Sequence, residues 1–138
     1  MMRRVAAIVV AVIVAILAVS LVEWLGYLAF PADLPVDSAD RAALAQAMAG
    51  VPLSAKLIVV FGWVAGTYVG ASIALRLAQW RPVGWIVAAI VITGGVWNLI
   101  QLPHPWWMQV MTVVAPLAGC WLAERRHRRA RPGDPLIG

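Results

Sequence analysis

Apolar residues run almost unbroken through four stretches of this chain, and charge, proline or tryptophan bounds each stretch. The hydrocarbon core of a bilayer is ~30 Å thick and takes ~20 helical residues to cross. The first stretch, 5–30, carries no charge between Arg4 and Glu23, an interval of ~28 Å as a helix. Trp24, Tyr27 and Phe30 follow as an aromatic belt, and Pro31 cannot continue the ladder. The second, 54–78, is bracketed by Lys56 and Arg76, ~30 Å apart, whose long stems can carry their charges to the two interfaces. The third, 83–102, begins after Pro82 and stops at Pro103 and Pro105. The fourth, 106–123, has Trp106 and Trp107 at one edge, Trp121 at the other, and Pro116 inside, where a kink is expected. Runs such as Ile8-Val9-Val10 suggest strands in water. At this length they predict helices, because lipid admits only helices and closed barrels and the alternating polarity of a barrel is missing.

Between the first two spans the pattern is different. Leu44, Met48 and Val51 fall on one face, Asp37-Ser38 can cap a helix start, and Gly50 and Pro52 mark its end. This predicts a short interfacial helix over 38–49 on the outer surface. Residues 124–138 read as a basic tail, disordered from 130 onwards. Composition agrees with lipid as the solvent. Of the 138 residues 63% are hydrophobic and only 12% charged, more apolar surface than so small a soluble domain can hide. Met-Met-Arg-Arg followed by an apolar run fits the first two regions of a secretory signal, but the run is long and no clear cleavage site precedes Glu23.

The net charge of +5 is concentrated at span ends. Arg3, Arg4, Arg76, Arg81, Arg125, Arg126, Arg128, Arg129 and Arg131 fall on one side, while Arg41 and Lys56 fall on the other with Asp33, Asp37 and Asp40. The positive-inside rule makes the first side cytoplasmic and requires an even number of crossings. The expected fold is therefore an all-α integral membrane protein. It is a four-transmembrane-helix bundle with a short outer helix and both termini in the cytoplasm, in a bacterial plasma membrane by its Ala-, Val-, Arg- and Trp-rich composition. The cluster Arg125, Arg126, Arg128, Arg129 and Arg131 reads as a topology anchor and an attractor of anionic lipid headgroups, not as a nucleic-acid site.

Candidate chemistry is sparse. Glu23, Lys56, Asn98, Gln101 and His104 occupy one slab near the outer rim, and Asn98 and Gln101 share a helix face. Together they outline a polar pocket that opens outward, although amides in membrane helices also serve simply as interhelical hydrogen-bonding groups and Glu23 as an interfacial carboxylate. No metal is expected, since His127, the only other histidine, sits at the opposite end and the lone Cys120 is in an apolar segment. No cofactor motif or activated serine is visible. Gly62, Gly66, Gly70 and Ala74, each four apart, form a small-residue stripe that lets a backbone approach, belonging either to this chain or to a second copy. Ala7, Ala11 and Ala15, and Ala115 and Gly119, are weaker counterparts. Four spans and a glutamate in the first resemble, in outline, the small multidrug resistance transporters. The long first outer loop, the basic tail and the shallow Glu23 depart from that pattern, and no activity is carried over. Two functions remain: a non-enzymatic module that packs with itself or a membrane partner, and a small-ligand transporter or membrane-embedded enzyme built on the outer polar cluster.

Overall fold

The computed structural model of the chain describes residues 2–31, 40–80 and 82–127, and these are all-helical with no strand. The order is α1 (Met2–Ala29), α2 (Arg41–Gly50), α3 (Leu53–Ala78), α4 (Val83–Gln101) and α5 (Trp106–His127). All but α2 are long and apolar enough to cross a membrane, which makes this a multi-pass membrane protein. We call the end holding Arg3, Arg76 and His127 the terminal end, and the end holding Glu23, Lys56 and His104 the distal end.

Element ends differ from the sequence reading where charge and capping intervene. α1 starts at Met2, so Arg3 and Arg4 are helical; Arg3 Nε donates to the Leu77 carbonyl at 3.2 Å and Arg4 lies 5.4 Å over the Trp80 ring. α2 begins at Arg41 instead of 38, because Asp40 is the cap: its carboxylate accepts from the Ala42 N–H at 2.8 Å. The cap expected at Asp37-Ser38 lies outside the described residues, as do Asp33, Arg81, Arg128, Arg129, Arg131 and the rest of the tail. α5 runs four residues past Ala123. Arg125, Arg126 and His127 form its last turn, where cations offset the negative end of the helix dipole. Between α3 and α4 the turn closes on Gln79, at φ 50°.

α3 is the central helix. It packs on α1, α4 and α5. The glycine stripe explains how it does so. A methyl group at Gly70 would stand 2.8 Å from the Ala11 carbonyl oxygen and 2.7 Å from the Ala15 Cβ. One at Gly66 would meet the Ala15 carbonyl at 2.9 Å, and one at Gly62 the Val22 side chain at 3.2 Å. Ala7, Ala11, Ala15 and Ala74 are all buried in this seam. The stripe is therefore filled by α1 of the same chain. On its α5 side, α3 is met by Gly119, which packs on the Val64 carbonyl. Gly95 of α4 sits against Thr112, whose carbonyl loses its helical donor at Pro116.

Candidate functional site

The distal end of the bundle holds a cleft of about 230 Å³. Four of the five polar residues marked by the sequence line it: Glu23 from α1, Lys56 from the first turn of α3, Asn98 from the last turn of α4, and His104 from the α4–α5 loop. Gln101 does not. It is the last residue of α4, rotated away from Asn98 and exposed. Apolar walls come from Tyr27, Phe30, Met48 and Met108. α2 buries Leu44 and Met48, and Met48 lines the cleft.

Each polar group is held differently. Lys56 does not reach outward to an interface as its position suggests; only 9% of it is exposed. The Glu23 carboxylate lies beside the Trp63 side chain. Trp63 is buried on α3, seven residues and two turns from Lys56, and packs with Met108 and Ala115. Asn98 Oδ1 is buried with no partner, an exception in proteins, where most buried polar atoms are paired. His104 Nδ1 lies 2.9 Å from the Leu102 carbonyl. A carbonyl only accepts, so Nδ1 carries the proton and Nε2 is the unprotonated nitrogen of the neutral ring. The loop carrying His104 is itself pinned, because Gln109 Nε2 donates to the His104 carbonyl at 3.0 Å.

The cleft thus offers one lysine, one carboxylate, one bare amide oxygen and one imidazole on an apolar, aromatic floor. Clefts of this make-up, mostly apolar with a few convergent polar groups, suit small ligands. Among the described residues no three His, Cys, Asp or Glu side chains gather to hold a metal. Trp63 and Met108 are not polar positions, and the sequence does not mark them. Only the two-turn spacing from Lys56 links Trp63 to this face.

The fold and cleft together define a small multi-pass membrane protein with a polar hollow near one end of its spans. No protein-family model, curated protein or solved structure matches the chain.

Proposed function

We propose that this chain is a membrane-embedded binding protein for a small molecule carrying an anionic group, taken up by the distal cleft. The observation that carries this is Asn98, whose Oδ1 is buried without a partner and which lines the cleft together with Lys56. Burying a polar atom without a hydrogen bond is costly. An anionic group beside the Lys56 ammonium, with a donor turned to Asn98 Oδ1, satisfies the amide and pairs the cation at once. His104 and Glu23 complete the polar lining and admit either carriage of the ligand or chemistry on it. Nine of the eleven basic residues lie at or beyond the terminal end. On that bias we orient both termini to the cytoplasm of a bacterial plasma membrane, with the cleft opening outward.

Native mass spectrometry of the protein released from nanodiscs tests the reading. The expected spectrum is a chain with one small molecule retained, which is lost in Lys56→Gln and Asn98→Ala and kept in Gln101→Ala. Equal retention in Lys56→Gln and in the parent chain overturns it.

Assembly with a second copy or a membrane partner keeps one specific support. The glycine stripe is occupied within the chain, but Gly94 on α4 has no heavy atom within 4 Å of where a Cβ would stand. It leaves a notch one turn from Trp97, which is 64% exposed. Gly94→Leu disperses any oligomer seated there, and an unchanged oligomer in the same spectra removes this reading.

A further inference from the structure

A larger hollow, about 750 Å³, lies at the terminal end between α3 and α5. Its rim is basic: Arg76 from α3, and Arg125, Arg126 and His127 from the last turn of α5. No acidic side chain lines it among the described residues. Below the rim the lining turns apolar, through Tyr68, Ala65 and Leu122 down to Phe61. Phe61 to Arg76 is fifteen residues of α3, or ~22 Å along the axis. Half the hydrocarbon core is ~15 Å, so the groove runs deeper than one leaflet. A second hollow of about 260 Å³ adjoins it, and the two share Tyr68, Arg76 and Arg126. Two details mark the rim as built for a ligand. His127 Nε2 is buried without a partner, and so is the hydroxyl of Ser72 in the second hollow. Arg125 is held in place by stacking 4.8 Å over the Trp121 ring.

We propose that this edge seats one anionic phospholipid. Its phosphate lies between Arg76 and Arg126, and an acyl chain enters the larger hollow below that pair. Guanidinium groups match phosphate oxygens in geometry as well as charge. The positive charges of Arg76, Arg125 and Arg126 together favour an anion at the rim. An apolar hollow that reaches past the depth of one leaflet suits a lipid chain, and free phosphate would leave it unfilled. The seat is independent of the distal cleft and of which side of the membrane either end faces.

The test is native mass spectrometry from nanodiscs of equal phosphatidylglycerol and phosphatidylcholine. One phosphatidylglycerol is expected to stay bound in preference to phosphatidylcholine. In R76Q/R126Q the retained fraction falls by about 30-fold, taking two arginines at ~1 kcal/mol each near a membrane surface. R128Q/R129Q/R131Q, which thins only the tail, keeps the lipid. Ala65→Trp fills the larger hollow with the charges intact, and it also releases the lipid. Circular dichroism on each variant confirms that helix content is preserved. Retention in R76Q/R126Q equal to the parent, equal retention of the two lipids, or displacement by excess inorganic phosphate overturns the seat.

Discussion

Two glycine-to-alanine substitutions, identical as chemistry, should move stability in opposite directions. At Gly94 a new Cβ meets nothing within 4 Å. The only effect left is backbone propensity, and alanine is favoured over glycine within a helix by ~0.8–1 kcal/mol. At Gly70 the same gain is opposed by contact with the Ala11 carbonyl oxygen at 2.8 Å and the Ala15 Cβ at 2.7 Å. Carbon contacts are comfortable at ~3.5–4.0 Å. Both obstructing atoms belong to the α1 backbone or are fixed rigidly to it, so no rotamer change relieves them. α1 must move off α3 by most of an ångström, along a seam that also holds Gly66 and Gly62. Overpacking of this kind costs ~1–3 kcal/mol. The difference between Gly70→Ala and Gly94→Ala cancels propensity and leaves this packing cost alone. At roughly 4 °C per kcal/mol for a chain of this length, the two melting temperatures should stand ~4–12 °C apart, Gly94→Ala the higher. Thermal unfolding in one detergent, followed by circular dichroism, reads this directly. If Gly70→Ala melts with Gly94→Ala, the α1–α3 seam is not packed as described. If it also dimerises less than the parent chain, the stripe faces a second copy after all.

Three further outcomes follow from the same geometry. Lys56→Met should raise stability by ~1 kcal/mol in the ligand-free protein, because a largely buried basic side chain gives way to an apolar one of similar length; a lowered melting temperature counts against that burial. Asp40→Ala should cost α2 ~1 kcal/mol of local stability, seen as faster hydrogen exchange at the first-turn amides while α3 and α5 keep their protection. Trp63→Phe keeps the ring and removes the indole N–H beside Glu23; ligand retention should weaken by a factor of ~2–10, the net worth of one ordinary hydrogen bond, with helix content unchanged.

How much of this was legible follows from what lipid does to a sequence. The spans come within a few residues, because a charge such as Arg76 or a proline such as Pro103 interrupts an otherwise featureless apolar run. What faces inward is far less visible. In water an amphipathic stripe separates core from surface, but here both the core and the lipid accept Val, Leu and Ala. Nothing in the residue types of α1 distinguishes buried Ala11 from exposed Ile13 except size. The glycines of α3 were readable for that reason, since size is the one signal lipid leaves intact. Polar residues were readable as a set by depth, but not by rotation. Asn98 and Gln101 are one short turn apart, and the edge of the cleft falls between them. Trp63 and Met108 carry no polarity pattern at all. The last turn of α5 was misread as tail because arginine runs follow membrane spans as anchors whether or not the helix continues through them.

Towards the terminal end the α1–α3 seam repeats itself every four residues on both sides, Ala7, Ala11 and Ala15 on one helix and Gly66, Gly70 and Ala74 on the other, before Val19 and Val22 meet Gly66 and Gly62. A repeating track has more than one place to stop. Sliding α1 by one seat, ~6 Å, would set alanines against small residues again. What distinguishes the correct stop from its neighbours is written at the two extremities: Arg3 on the Leu77 carbonyl and Arg4 over Trp80 at one, Glu23 with Trp63 towards the other. These contacts are individually weak, and two sit where water and headgroups screen them. Their weight lies in being unrepeated. They act as the index marks on a vernier, converting a smooth slide into a single reading, and so they decide whether Glu23 arrives level with the cleft or one turn away from it.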